Sequence, residues 1–318
     1  MNSHQLIYLV FSIVVFAALV FDMGLLSKKN KAISIKTALL QTLFWVLLAF
    51  AFFVFLWLQE SRTSALEYIS AYLMEWSLSV DNIFVFIIIF SAFNVKEKHY
   101  GRVLLVGILM AILFRILFIT VGVALVEKAE WLLYIFGAFL VYTGFKMFTA
   151  NEDETFQPKE SKVFKFLQKF LPVTLEDIDG RYFVRRNGKP LYTVLFVVVI
   201  MLAITDLVFA VDSIPAVMGI SRDKMVIYTS NTFAVLGLRS LFFLLRGAVS
   251  KFDYLQQGIA VVLVFIGAKM LLEHYLLEWF SKNTLVFISL GVIIVCITSS
   301  IVYSMYHNKK GLPKDLIQ

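Results

Sequence analysis

Only one cysteine, Cys296, occurs in the chain, which excludes disulfide frameworks, thiolate metal sites and CxxC redox chemistry as organising principles. Cys296 itself reads as a small apolar helix residue. Charge is scarce as well: 16% of residues are Asp, Glu, Lys or Arg, against about 25% in a soluble domain. Water is therefore not the main solvent for this chain. Histidine is limited to four residues. His4, His99 and His307 fall in termini or connections and His274 at the end of an apolar run, so each reads as a surface residue rather than a metal ligand. The net charge is +7, but the bases form no stripe interleaved with aromatics, and nucleic acid is excluded as a partner.

What fills the chain is apolar. Hydrophobic residues make up 60% of it, with 32 Phe, and the mean hydropathy is +0.84. The first apolar run, roughly Leu6 to Leu26, has neither a preceding base nor an A-x-A cleavage pattern and reads as a retained span. Eight further runs, centred near Leu48, Leu78, Leu113, Phe139, Ala203, Leu236, Val264 and Val292, are each long enough to cross a hydrocarbon core of about 30 Å. The expected architecture is thus an all-α membrane protein of about nine transmembrane helices, the fifth and eighth being the shortest. Bases concentrate in alternate connections: Lys28, Lys29, Lys31 and Lys36, then Lys96, Lys98 and Arg102, then the loop 150–190, then Arg246 and Lys251, then the C-terminal tail. The opposite side receives only Arg62, Lys128, Arg222, Lys224 and Lys282. Because cytoplasmic connections carry the excess of base, the N terminus is expected outside and the C terminus inside. Within 150–190, Val163, Phe164, Phe166, Leu167 and Phe170 share one helical side while Lys162, Lys165 and Lys169 face away, the pattern of a basic helix lying on anionic lipid.

Two strings inside apolar runs match each other. Glu75-Trp76-Ser77-Leu78-Ser79-Val80-Asp81-Asn82 and Asp206-Leu207-Val208-Phe209-Ala210-Val211-Asp212-Ser213 both read acid, five residues, acid, amide or hydroxyl. Downstream, Arg115 matches Arg239, and Gly144-Phe145-Lys146-Met147 matches Gly267-Ala268-Lys269-Met270. Three consecutive spans recur in order, and an odd number forces the second copy to enter the membrane from the other side, which predicts a 3+3 inverted repeat. The chain divides accordingly into two N-terminal helices (1–60), a first repeat (65–149), the basic loop (150–190), a second repeat (191–275), and a last helix with its tail (284–318).

A carboxylate at the centre of a span costs roughly 2.5–3.5 kcal/mol, so Glu75, Asp81, Asp206 and Asp212 together carry on the order of 10 kcal/mol unless partnered. They read as a cation site, with ion pairing to Arg115 and Arg239 or a proton relay as the other readings. Residues six apart lie about 240° around a helix axis and about 9 Å along it, so Glu75 and Asp81 cannot address one ion from an unbroken helix. Either the helix unwinds, as Pro215 suggests for the sixth span, or there are two sites. The carboxylates, the Asn82 amide, and the Ser79 and Ser213 hydroxyls are hard oxygen donors that suit Mg²⁺, Ca²⁺ or Mn²⁺ without choosing among them. Arg115 and Arg239 read as charge-balancing partners, while Lys146 and Lys269 lie near span ends and reach the interface.

These residues resemble the TerC/Alx integral-membrane family from about Phe21 to the ninth span. The resemblance rests on Tyr72-Leu73-Met74-Glu75, Ser77-Leu78-Ser79-Val80-Asp81-Asn82, Phe209-Ala210-Val211-Asp212-Ser213-Ile214-Pro215-Ala216, Ser230-Asn231-Thr232-Phe233-Ala234, Gly237-Leu238-Arg239 and Phe183-Val184-Arg185-Arg186-Asn187-Gly188. It implies manganese efflux from the bacterial cytoplasm across the inner membrane, with Mn²⁺ as the transported ion. No permanently bound cofactor and no enzymatic activity are expected. The driving ion is not readable from the residues, and H⁺ antiport is the natural candidate for export against an inside-negative potential, which costs about 2.3 kcal/mol per charge per 100 mV. Links to tellurite resistance and alkaline pH belong to the same family. A membrane scaffold that supplies metal to secreted proteins, or a Na⁺/H⁺-type exchanger, are the alternative readings. Two departures from the family pattern matter: Ala203 stands where an acid is common one turn before Asp206, and Trp76 stands where a basic or polar residue is common.

Overall fold

An apolar segment with no water around it must bond its own backbone, and helix is the conformation that does so within one segment. The computed structural model describes residues 3–27, 34–149, 158–174, 180–186, 189–246 and 254–310, and within these the side chains of Asp81 and Asp212 lie outside the described residues. Among the described residues eleven α-helices follow one another: α1 (Ser3–Ser27), α2 (Ile35–Gln59), α3 (Arg62–Ala92), α4 (Glu97–Lys128), α5 (Leu132–Thr149), α6 (Lys162–Phe170), α7 (Val194–Ile220), α8 (Lys224–Leu236), α9 (Leu238–Leu245), α10 (Leu255–Trp279) and α11 (Lys282–Lys310). Several starts are written in the sequence as N-caps: the side chains of Ser34, Ser61, Ser161 and Asp223 accept from the backbone N–H of Thr37, Ser64, Phe164 and Met225, each satisfying a donor the first turn leaves open.

Seven of the described helical segments are long and apolar enough to cross a membrane: Ile35–Gln59, Arg62–Ala92, Glu97–Lys128, Val194–Val211, Lys224–Leu245, Gln256–Trp279 and Asn283–Tyr306. The chain is thus an all-α, multi-pass membrane protein. Two shorter apolar helices, Gln5–Val20 and Leu132–Phe148, accompany them. The span expected around Leu236 is built from two helices, α8 and α9, meeting at Gly237, whose backbone stays helical (φ −73°, ψ −15°). The eighth expected span, thought short, is the 25-residue α10. Helix α7 also differs from expectation, because it runs unbroken through Pro215. Proline removes one N–H from the ladder, but Ala210, Ile214, Ala216 and Val217 around it are buried on neighbouring helices, and that packing holds the helix on either side.

α8 is the most enclosed span, with every residue from Val226 to Val235 buried or nearly so. Its polar residues bond their own helix: Thr229 donates to Met225 O, Ser230 to Val226 O, Asn231 to Ile227 O and Thr232 to Tyr228 O, so hydroxyl and amide groups are carried into the core without a desolvation debt. Around it, α3 packs on α7 and α8, α4 on α7, α2 on α3 and α9, and α5 on α10. The last pair is the closest. A Cβ added at Gly144 would sit 2.8 Å from Ala260 O, and one at Gly267 would sit 2.6 Å from Gly137 O.

The connection between α5 and α7 is more structured than expected. α6 buries only Phe164 and Leu167, leaving Phe166 and Phe170 exposed with ring centroids 4.5 Å apart. A two-stranded antiparallel hairpin follows, β1 (Phe183–Arg186) against β2 (Lys189–Tyr192), with Phe183 opposite Tyr192 and Arg186 opposite Lys189. Its signal was in the sequence, since Asn-Gly between two such runs is a strong hairpin dipeptide. His99, expected at the surface, is buried in the first turn of α4. Gly180 (φ +69°) lies over it so closely that a Cβ there would come within 2.5 Å of the His99 ring.

Candidate functional site: a buried arginine between two carboxylates

Arg115 sits in the middle of α4 with 2% of its surface exposed. Its Nε donates to Asp206 Oδ2 at 2.8 Å and its Nη2 to Asp206 Oδ1 at 3.1 Å, a two-pronged grip on a carboxylate of α7. Its Nη1 donates to Glu75 Oε1 of α3 and, at 3.3 Å, to Asn231 Oδ1 of α8. Four helices therefore converge on one guanidinium. Glu75 is 0% exposed, Asp206 1% and Asn231 1%, so this is a fully desolvated ion triad in which one partner's loss leaves an uncompensated charge. Arginine suits the position because its planar fork serves several acceptors at once. Two carboxylates against one guanidinium leave the group formally short of one positive charge.

One oxygen of the triad is unused. Glu75 Oε2 is buried and accepts no hydrogen bond among the described residues, as is true of the Ser213, Ser77 and Ser79 hydroxyls. Glu75 and Ser213 face a cavity of about 310 Å³ whose other polar walls are Asn82, Thr143 and Gln256, with Met147 beside them. Asn82 donates its Nδ2 to Asp206 Oδ1 at 3.5 Å, which leaves its amide oxygen as an acceptor. The geometry explains the pairing of donors: Glu75 and Asn82 are seven apart on α3, as Asp206 and Ser213 are on α7, and seven residues return almost to the same helix face. Among the described residues no three His, Cys, Asp or Glu side chains cluster as a metal site. The cavity is lined by hard oxygen donors beside a triad that holds, among the described side chains, two carboxylates to one guanidinium, a combination that can attract a cation without a preformed cage.

The chain matches the integral membrane protein TerC family over residues 60–312. It belongs to that family. Among its relatives, a membrane protein of Rickettsia bellii (strain RML369-C) is 41% identical over 269 residues, covering 85% of this chain and 89% of the relative. One of Myxococcus xanthus is 42% identical over 257 residues, 80% of each chain. Alx of Escherichia coli (strain K12), whose name describes a proposed membrane-bound redox modulator, is 37% identical over 307 residues, 94% of each chain. No solved structure matches the chain.

For this TerC-family chain the expected site residues divide. Glu75, Asn82, Asp206 and Arg115 meet directly, and Ser213 joins them through the cavity wall. Ser79 is buried but is not part of that wall. Asp81 and Asp212 stand on the same two helices, with side chains outside the described residues. Arg239 is 3% exposed on α9. Because α3 and α7 are both continuous, the unwinding expected at Pro215 does not occur, and Glu75 leaves its helix about 240° from Asp81. Asn231, Thr143 and Gln256 were not singled out as site residues. Asn231 had a signal, a polar triplet Ser230-Asn231-Thr232 within an apolar run, whereas Thr143 and Gln256 become visible only when α5 and α10 are brought against α3.

Proposed function

We propose that the chain exports a divalent metal cation, Mn²⁺ by preference, from the bacterial cytoplasm across the inner membrane by alternating access. The observation that carries this reading is the buried Glu75 Oε2, without a hydrogen-bond partner among the described residues, on a residue that with Asn82 and Ser213 lines the cavity between α3 and α7. Six waters at about 30 Å³ each come to about 180 Å³, so a cation still carrying its hydration shell fits the space. It enters past Gln256 and Met147, exchanges some waters for Glu75, Asn82 and Ser213, and is drawn by the surplus negative charge. A dication close to Glu75 and Asp206 competes with Arg115 for the same oxygens, so binding loosens the junction of α3, α4 and α7. On an unbroken α3, six residues separate Asp81 from Glu75 by about 240°, which supports two sites rather than one, and the same spacing separates Asp212 from Asp206 on α7. H⁺ is the proposed counter-ion, since export against an inside-negative potential costs about 2.3 kcal/mol per charge per 100 mV.

The architecture we propose has nine spans, counting Gln5–Val20 and Leu132–Phe148, with the N terminus outside. Its repeats, 65–149 and 191–275, flank the loop 150–190. The α5–α10 contact supports the inverted relation. Gly144 aligns with Gly267 and Gly137 with Ala260, and the contacts run from Gly144 to Ala260 and from Gly267 to Gly137. Exchanging the two repeats turns one contact into the other, as a pseudo-twofold axis requires. α3 against α8 and α4 against α7 exchange in the same way. The lysines and exposed aromatics of α6 suit contact with anionic lipid at the inner face. The single cysteine excludes a dithiol couple within this chain.

Dication flux in vesicles containing the purified chain tests the proposal. Manganese transport is expected for the parent and at least a tenfold loss in Glu75→Gln, Asp81→Asn and Asp212→Asn. Parent-like flux in those three variants would sink the site. Sodium- or pH-dependent flux that persists with manganese chelated would replace the ion by the exchanger reading, and no flux of any ion would leave the scaffold reading.

A further inference from the structure

The short connection from α7 to α8 makes polar contacts with three other helices. Ser221, 2% exposed, donates its hydroxyl to Glu67 Oε2 of α3 at 2.5 Å and accepts from Asp223 N–H at 3.1 Å. Glu67 is itself 2% exposed, a buried acid that the site around Arg115 does not use. Arg222 Nη2 reaches Glu273 Oε2 of α10 at 2.7 Å, and Lys224 Nζ reaches Glu127 Oε1 of α4 at 2.8 Å. Lys269 of α10 donates to Gly219 O, in the last turn of α7, at 3.2 Å. Surface pairs such as the first two contribute little individually. The enclosed bond is different, because both of its residues are buried and separating them takes a hydrogen bond from a carboxylate away from bulk water.

Position along the helices gives this cluster a meaning. The cavity follows α3 from Glu75 to Val85 and reaches Met147, in the last turn of α5, and the exposed Gln256, at the start of α10. Glu67 lies eight residues from Glu75 in the other direction, about 12 Å along α3. Glu273 and Lys269 lie toward the opposite end of α10 from Gln256. Along α3, α5 and α10 the cavity thus lies toward one end of the helices, with exposed Gln256 as its mouth, and the Ser221 connection lies toward the other end, with the Arg115 triad between them.

We infer that the buried Glu67–Ser221 bond is the latch of a gate closing the face opposite the cavity mouth. The inference rests on the transport reading above: an ion entering at Gln256 leaves only if α3 parts from the α7–α8 connection, and that movement breaks this bond first. The two exposed ion pairs and the Lys269 contact brace the same connection against α4 and α10.

The test uses the full chain in oriented vesicles, with Cys296→Ala and a single reporter, Thr143→Cys, at a partly exposed position in the cavity wall. A charged, membrane-impermeant thiol reagent is applied from each face. In the parent background, labelling from the mouth face is expected at least tenfold faster than from the far face. Glu67→Ala and Ser221→Ala should each raise the far-face rate at least tenfold, while Glu67→Gln, whose amide oxygen still accepts from Ser221, should stay near the parent rate. Equal rates from the two faces in the parent, or an unchanged far-face rate in the Ala variants that fold, would overturn the gate. Ser221→Ala, a loss of one oxygen, keeps the test decisive where Glu67→Ala does not fold. Because labelling needs no transported ion, failure of the gate and failure of the metal-export reading are read separately.

Discussion

Arg115 serves Asp206 twice, Glu75 and Asn231 from one side chain, so its replacement acts on three helices at once. Arg115→Met leaves Glu75 and Asp206 buried without a countercharge, and breaking such a pair from one side costs about 3–5 kcal/mol. We expect a clear fall in the thermal midpoint of the detergent-solubilised protein, with Arg115→Lys recovering part of it, because an ammonium keeps the charge but cannot fork across both Asp206 oxygens. An Arg115→Met protein as stable as the parent would remove the triad from the account. At this scale the sequence named the participants, since acids and arginines inside apolar runs are too costly to be incidental. It did not name their pairing. That Arg115 takes one Glu75 oxygen and leaves the other without a partner among the described residues depends on α4 meeting α3 and α7 at one depth, and no spacing within a helix encodes a meeting between helices.

Among the elements, α5 and α10 are joined by glycine. At Gly144 a methyl group would lie 2.6 Å from Val264 Cγ2 and 2.8 Å from Ala260 O, the latter backbone that cannot rotate away, whereas at Gly291 of α11 nothing lies within 4 Å. Gly144→Ala is therefore expected to destabilise by about 1–3 kcal/mol through overpacking, and Gly291→Ala to be neutral or slightly stabilising through helix propensity. Unfolding midpoints of the two variants, measured side by side, check the contrast, and equal midpoints would refute the close crossing. The presence and order of the long helices were legible from apolar runs, but the eighth, thought short, runs 25 residues, and the caps at Ser34, Ser61 and Ser161 were not read. Pro215 misled, because its local cost was read without the packing that holds α7 straight. The hairpin at 183–192 was passed over because helix periodicity dominates a chain this apolar, although Asn187-Gly188 carried the turn signal.

For the whole molecule, the proposed export requires the two ends of one pathway to differ in access. Cells carrying the chain are expected to hold less manganese than cells without it by elemental analysis, and Glu75→Gln to abolish the difference while leaving the protein in the membrane. Equal manganese content with and without the chain would contradict export. The sequence by itself determined that the protein lives in a bilayer, which long apolar segments are helical, and that Glu75, Asp206, Arg115 and Arg239 stand inside them, because the expense of polar groups in hydrocarbon is a local property of each run. It passed over the buried Glu67. Only the tertiary structure decided that Glu75, Asp206, Arg115 and Asn231 share one junction, that Thr143 and Gln256 wall the cavity beside them, and that Glu67 closes on Ser221. The physical reason is that neighbours on one helix are fixed by its 3.6-residue turn, while neighbours on different helices are fixed by how glycines, aromatic rings and buried ions fit when the spans pack together.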